Sequence, residues 1–249
     1  MRLALILALA LSSCGGKKSP PATTAESTSA GDAQPLTRTA ILSEMHGNLT
    51  RIHDAHSAVI QADLAEVQAA AGDLERIPSI DGFPEPWIDK QMDLQMAAGY
   101  ARRSETIEDA ASRVVAIGVR CAKCHTHVGD GPQFRVSPEP PDAGALQTHM
   151  RHHVWGADLM WKGVIAPNPE LFQRGAAGLA AAHPEEDEGR AAEIKSIESL
   201  LHTEAGEAAK LTDPEAQAKA YGQILARCAT CHKAAGVQPA LVFSPMLDE

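Results

Sequence analysis

The sequence predicts an all-α protein built from two tandem antiparallel four-helix bundles. Alanine is abundant and runs of β-branched residues are scarce, which favours helix over strand. Because proline costs about 3 kcal/mol inside a helix, long stretches without proline are predicted to be helical. These stretches are residues 36–77, 87–131, 142–166, 170–183, 185–213 and 215–238. A third observation, an internal repeat, indicates the two bundles.

The repeat relates the two halves of the chain. An offset of 107 places Cys121 on Cys228, and an offset of 105 places Met45 on Met150 and Val59-Ile60 on Val164-Ile165. Each half is therefore predicted to contain a long helix, a short helix, a long helix and a cysteine-bearing helix. The predicted helices are 37–61, 63–76, 87–103 and 104–127, then 143–166, 169–182, 186–208 and 214–234. Four helices with short connections form an antiparallel bundle.

Proline and glycine mark several of the predicted helix ends. Asn168-Pro169-Glu170 and Asp213-Pro214-Glu215 each offer an N-cap residue, a first-turn proline and an acid. Domain 1 is predicted at 37–130 and domain 2 at 143–238, with a linker at 131–142 that is rich in Pro, Gly and Asp and a tail at 239–249.

The N-terminal segment resembles an export signal. Residues 1–13 carry one positive charge, Arg2, then an apolar run too short to span a bilayer and small residues before Cys14. Leu11-Ser12-Ser13-Cys14 resembles a bacterial lipoprotein box, which implies lipidation of Cys14; an ordinary secretory signal followed by an incidental cysteine is the alternative. Residues 14–36 lack apolar periodicity and are predicted to be a disordered tether.

The other four cysteines lie in two pentapeptides. Cys121-Ala-Lys-Cys124-His125 and Cys228-Ala-Thr-Cys231-His232 both read C-x-x-C-H, the attachment pattern of a c-type haem. In a helix the two thiols and the histidine share one face, so the thiols can hold the haem edge while the imidazole serves as proximal iron ligand.

Two other readings of the pentapeptides fit less well. A zinc ribbon typically has roughly 15–20 residues between its cysteine pairs, whereas 103 residues separate Cys124 from Cys228. A thioredoxin-type redox pair wants a βαβ setting, which the helical pattern excludes. We therefore expect two covalently attached c-type haems, one near the end of the last helix of each bundle.

Each half resembles a class II c-type cytochrome, the cytochrome c′-like four-helix bundle, over about 37–130 and 143–237. The resemblance rests on the C-terminal C-x-x-C-H motif, the Pro86-Trp87 entry to the third helix, and a first-helix methionine followed by an apolar pair. It implies that Met45 and Met150 are the distal haem ligands. The halves depart from the family after the motif, where Val128-Gly129 and Ala235-Gly236 replace an aromatic and a basic residue.

Other side chains are weaker candidates for a role at the haems. Arg120 and Arg227 precede the first cysteine of each motif and are candidates for propionate contacts, with solvated arginines as the alternative. Histidines of the first and fifth helices compete with the methionines, His153 being the nearest rival of Met150. For most of these histidines a surface or hydrogen-bonded role is expected. The full set is His46, His53, His56, His149, His152 and His153.

These observations predict a dihaem c-type cytochrome that transfers single electrons to and from redox partner proteins and is not an enzyme. The alternative is a gas-binding or sensing protein for nitric oxide or carbon monoxide with one or both haems five-coordinate. No distal acid–base pair indicates a peroxidase. The formal net charge of −10 argues against nucleic acid as a partner. Gly15 after Cys14 implies an outer-membrane anchor facing the periplasm of a Gram-negative bacterium. Class II bundles pair as homodimers, and two tandem bundles offer pairing within one chain.

Overall fold

The described part of the chain folds into helices joined by short connections. The computed structural model describes residues 37–78, 83–141, 146–181 and 191–237. Across these residues it contains eight α-helices and no β-sheet: α1 (Arg38–Ile60), α2 (Leu64–Glu75), α3 (Glu85–Arg102), α4 (Ile107–Val128), α5 (Leu146–Ile165), α6 (Pro169–Ala181), α7 (Ala192–Ala208) and α8 (Pro214–Ala235). The all-α class is confirmed. Residues 1–36, with Cys14, and the predicted tail at 239–249 lie outside the described residues.

The helix starts follow local capping chemistry. Thr37, Asp63, Thr106 and Asp213 each accept a hydrogen bond from a first-turn amide of the helix they precede. The Oδ1 atom of Asn168 accepts one from the Leu171 amide at 2.9 Å. The two predicted cap-proline starts, at α6 and α8, are confirmed. Helix α4 begins at Ile107, three residues later than predicted, because Thr106 caps it.

The two motif-bearing helices end on glycines in the left-handed region. Gly129 follows α4 with φ of 74° and Gly236 follows α8 with φ of 66°. Glycine adopts this conformation without the steric cost that a Cβ imposes. Each cysteine motif therefore lies in the last two turns of its helix.

Neighbouring helices pack on each other in sequence order within α1–α4 and within α5–α8. The closest approach is between α5 and α6. A Cβ built at Gly175 would lie 2.5 Å from the Gly156 carbonyl oxygen, and one built at Gly163 would lie 2.7 Å from the Phe172 amide nitrogen. Glycine is required at this seam because any side chain would force the two backbones apart.

Helices α4 and α8 join the two sets of helices. They run antiparallel: Lys123 near the end of α4 is 3.6 Å from Glu215 at the start of α8, and Gly222 packs on the Ser112 backbone. Helix α1 also contacts α8, and α4 contacts α5. The described helices consequently belong to one compact unit, and none of them is both long and apolar enough to cross a membrane.

A buried polar network lies where α1, α5 and α8 meet. The fully buried His56 ring stacks on Trp161 with centroids 4.7 Å apart. Its Nε2 atom is 2.6 Å from the Tyr221 hydroxyl, which donates to the Ala157 carbonyl at 2.9 Å. The hydroxyl therefore accepts from His56, and all three elements are linked through one tyrosine.

The connection between α4 and α5 is attached to α5. The Trp155 indole donates to the Ser137 carbonyl at 2.9 Å, and the buried Lys162 ammonium donates to the Arg135 carbonyl at 3.2 Å. Lys162 also pairs with Asp158 at 2.8 Å, which offsets the cost of burying its charge. The linker predicted at 131–142 is therefore packed on α5 over residues 135–137.

Candidate functional site

The first motif occupies the C-terminal turns of α4. The residues upstream of it, Ala111, Val114 and Gly118, are buried, so the motif continues a buried face of α4. Cys121 and Cys124 are free, half-buried thiols, one turn apart. Burial, reinforced by Cys124, raises the pKa of the Cys121 thiol to about 12.

The second motif repeats this arrangement on α8. Tyr221 and Leu225 are buried upstream of it. Cys228 and Cys231 are half-buried and form no disulfide, and burial, reinforced by Cys231, raises the pKa of Cys228 to about 12. At pH 7 roughly one thiol in 10⁵ with such a pKa would be ionised, so the Cys121 and Cys228 thiols are neutral.

The second motif histidine, His232, is hydrogen-bonded to the last residue of α1. Nδ1 of His232 donates to the backbone carbonyl of Ile60, the last residue of α1, at 2.9 Å. This bond places the imidazole proton on Nδ1 and leaves the lone pair on Nε2. Metal-ligating histidines use such a bond to set their tautomer and ring orientation.

The first motif histidine has the reciprocal environment. The carbonyl of Ile165, the last residue of α5, faces His125. Burial lowers the pKa of His125, and the Ile165 carbonyl and Asp130 oppose that shift without reversing it. Nδ1 of His125 is buried and has no hydrogen-bond partner among the described residues. Ile60 and Ile165 are the positions that the 105-residue offset aligns, so each motif histidine meets the first helix of the opposite half.

The antiparallel packing of α4 and α8 separates the two motifs. Ser112 on α4 lies beside Gly222 on α8. His125 is 13 residues beyond Ser112, and His232 is 10 residues beyond Gly222 in the opposite direction. At 1.5 Å per residue the two histidines are about 30–35 Å apart along the helix axes.

The predicted distal ligands lie on the helices expected to face the motifs. Met45 and Met150 are half-buried residues of α1 and α5. Arg38 at the start of α1 is 3.7 Å from Asp130, just past α4. This contact places the N-terminal turns of α1, with Met45, beside the end of α4. Val154, one turn beyond Met150 on α5, is 36% exposed.

The two candidate propionate partners differ. Arg227 forms a two-pronged ion pair with Glu204 on α7, with Nη2–Oε1 at 3.1 Å and Nε–Oε1 at 3.2 Å. Arg120 makes no ion pair within the described residues and is half-buried. A propionate would have to share Arg227 with Glu204 but could contact Arg120 alone.

One group of potential metal ligands was not predicted from the sequence. His149 and His153 of α5 converge with Glu198 and His202 of α7, their ligand atoms lying within 4.8 Å of one another. The sequence predicts surface or hydrogen-bonded roles for most histidines of α5 and sets His153 apart as a rival haem ligand, but it indicates no role for Glu198 or His202 of α7. The available signal was the pairing of ligand residues at i and i+4 on two helices of one bundle.

A cavity of about 250 Å³ lies near the first motif but not on its face. Its lining includes Val119, Ala122 and Thr126 of α4 and Gly163 of α5. These α4 positions point away from Cys121, Cys124 and His125, given 3.6 residues per turn. The cavity is therefore separate from the motif side chains.

The motif residues fit a covalently attached haem in their chemistry. Neither thiol pair forms a disulfide, both are followed on one helix face by a histidine, and Nε2 of His232 is left for a metal by the Ile60 bond. No protein-family model, curated protein or solved structure matches the chain. The resemblance to class II c-type cytochromes therefore rests on the residues alone.

Proposed function

We propose that the protein is a dihaem c-type cytochrome that transfers single electrons, with α1–α4 and α5–α8 each forming a haem-binding four-helix bundle. The observation that carries the proposal is the setting of His232. Its Nδ1 donates to Ile60, and it follows Cys231 directly and Cys228 by one helical turn, neither cysteine being in a disulfide. A disulfide-exchanging C-x-x-C pair has no use for a histidine oriented in this way, and the 103 residues between Cys124 and Cys228 disfavour a zinc ribbon.

Each residue has a distinct role in this proposal. Cys121 and Cys124 hold one haem, Cys228 and Cys231 the other, and His125 and His232 are the proximal ligands. Met45 and Met150 are the proposed distal ligands. The haem iron supplies the one-electron chemistry. Methionine in the sixth position raises the reduction potential and disfavours binding of an external ligand, which suits electron transfer.

The carbonyl of Ile60 makes the His232 ring a better electron donor to iron. A hydrogen bond from Nδ1 to a carbonyl raises the basicity of the ligating nitrogen and prevents the ring from rotating. Since Ile60 belongs to α1, the first half of the chain contributes to the proximal side of the second site.

The same proposal places the protein outside the cytoplasm. Attachment to C-x-x-C-H motifs occurs there, and the signal-like residues 1–13 and Cys14 support export and a lipid anchor at the periplasmic face of the outer membrane. The partners are then redox proteins within reach of the 14–36 tether. Membrane fractionation of a Cys14→Ala variant tests the anchor, and unchanged membrane attachment would refute it.

The optical spectrum of the exported, purified protein tests the function. We expect two haems per chain by mass, low-spin spectra in both oxidation states, and a Met–iron charge-transfer band in the oxidised form. The double variants Cys121→Ala/Cys124→Ala and Cys228→Ala/Cys231→Ala should each lose one haem. Absence of covalent haem would refute the proposal, and rapid, tight carbon monoxide binding at both reduced haems would favour gas binding instead of electron transfer.

A further inference from the structure

Four potential metal ligands come together at the motif-bearing end of α5–α8. His149 and His153 lie one turn apart on α5, and Glu198 and His202 lie one turn apart on α7. Each offers one ligand atom, and the four atoms lie within 4.8 Å of one another. Metal sites in helical bundles are built in this way, from side chains one turn apart on facing helices.

The distances within the group suit a single small cation. The Nε2 atoms of His153 and His202 face each other at 3.2 Å, and Nε2 of His149 contacts Oε1 of Glu198. Ligands at about 2.0–2.1 Å from a tetrahedral ion lie about 3.3–3.4 Å from one another. Small side-chain movements would therefore bring all four atoms into one coordination sphere.

The surroundings favour a cation. His149 and Glu198 are 4% and 6% exposed, and a buried carboxylate is costly without positive charge beside it.

The first half of the chain shows that the fold does not require this group. The 105-residue offset places Glu44 and Asn48 at the positions of His149 and His153, and the 107-residue offset places Gln91 and Gln95 at those of Glu198 and His202. The two glutamines donate to backbone carbonyls, of Pro78 at 2.7 Å and Ile77 at 2.6 Å. The structural amides of Gln91 and Gln95 in the first half are thus replaced by the metal-binding groups of Glu198 and His202 in the second.

We propose that His149, His153, Glu198 and His202 bind one divalent first-row transition metal ion, with zinc as the expected occupant. Three imidazoles and one carboxylate form a nitrogen-rich set that suits zinc, and four protein ligands form a closed site. The ion would join α5 to α7 beside His232. The site uses none of the residues assigned to the haems.

Zinc titration of the untagged, haem-loaded full-length protein tests the site. After chelator treatment, calorimetry with Zn²⁺ should show one site per chain, and elemental analysis should find one zinc in addition to the haem iron. Glu198→Gln and His202→Gln should each weaken binding at least 10-fold, since even outer-shell changes cost 10–100-fold. His46→Gln removes an exposed histidine of α1 and should bind zinc as the wild type does.

Zinc X-ray absorption of the wild type separates the site from its alternatives. We expect a shell of nitrogen and oxygen at about 2.0–2.1 Å with imidazole scattering. Sulfur in that shell, or equal zinc affinity in the wild type, Glu198→Gln and His202→Gln, would overturn the proposal. So would the absence of zinc uptake together with a changed haem spectrum in His153→Gln, which would assign His153 to a haem iron. Helical content and haem spectra of each variant establish that it is folded. If the exported protein takes up zinc at these residues but carries no covalent haem, only the proposed function is refuted.

Discussion

Nδ1 of His232 donates a hydrogen bond to the carbonyl oxygen of Ile60 at 2.9 Å, across 172 residues of sequence. The bond joins the cysteine motif of α8 to the end of α1. Ile165 presents its carbonyl to His125 in the corresponding place. His232 is thus positioned by a helix from the first half of the chain, while α5 of the second half faces His125, and the two halves depend on each other structurally.

Structural dependence does not imply redox coupling, because the motif histidines are about 30–35 Å apart along the helices. One unit charge acting on another at 30 Å contributes about 0.6 kcal/mol at an effective dielectric constant of 20, and salt reduces this further. We expect potentiometric titration to show two independent one-electron steps, with reduction of one haem shifting the other by less than about 25 mV. A larger shift, assigned by removing one haem through Cys228→Ala/Cys231→Ala, would contradict the separation.

Tyr221→Phe should destabilise the protein by about 2 kcal/mol. The substitution removes the hydroxyl that accepts from His56 and donates to Ala157, and it leaves buried polar groups without partners. Urea unfolding measures the change. The other tyrosine supplies a matched control, because Tyr100 is 57% exposed and Tyr100→Phe should change the free energy of unfolding by less than about 0.5 kcal/mol. Equal effects would show that the buried network contributes nothing.

Gly118→Ala should cost about 1–3 kcal/mol through overpacking. A Cβ at Gly118 would lie 2.8 Å from the Trp161 ring, in the contact between α4 and α5. Gly206→Ala in α7 is the control, since its nearest neighbour would be Ala180 Cβ at 3.8 Å. That change should stabilise the protein by about 0.5–1 kcal/mol, because alanine is the better helix former. Thermal unfolding should therefore move in opposite directions, and a stabilised Gly118→Ala variant would refute the contact.

Stability should fall as the pH drops from about 6.5 towards 4, in part because of His53. Burial, and secondarily the charge of Lys162, lowers the pKa of His53 to about 4. The unfolded chain then takes up a proton near pH 6.5 that the folded chain does not bind until about pH 4. This histidine contributes about 3 kcal/mol that is present above pH 6.5 and lost across that interval.

His53→Gln isolates this contribution. Urea unfolding of the wild type and the variant at pH 7 and pH 4 should show a smaller loss of stability on acidification in the variant. His46→Gln, at an exposed position of α1, should lose as much as the wild type. A His53→Gln variant that behaves like the wild type would show that His53 titrates normally in the folded protein.

The helices were predictable because their signals are local. Pro169 and Pro214 begin α6 and α8 behind Asn168 and Asp213, as predicted, and Gly129 and Gly236 end the motif helices. Capping depends on residues within one turn of each other, so it can be read from sequence.

The candidate sites were predictable only in part. The motif cysteines and histidines are adjacent in sequence, and their shared helix face follows from helix geometry. The convergence of Glu198 and His202 with His149 and His153 was not predicted, because it depends on how α7 rotates against α5. Likewise, no local signal pairs His56 with Tyr221, which are 165 residues apart.

The amino-acid sequence by itself determined the helical class, the repeat and the two C-x-x-C-H faces, since each depends on residues within a few turns or on self-similarity. Only the tertiary structure decided that α4 and α8 run antiparallel, that the motifs lie at opposite ends of that pair, and that Ile60 holds His232. These relationships depend on side-chain packing between distant helices, where small shape differences such as Gly222 against Ser112 select one arrangement.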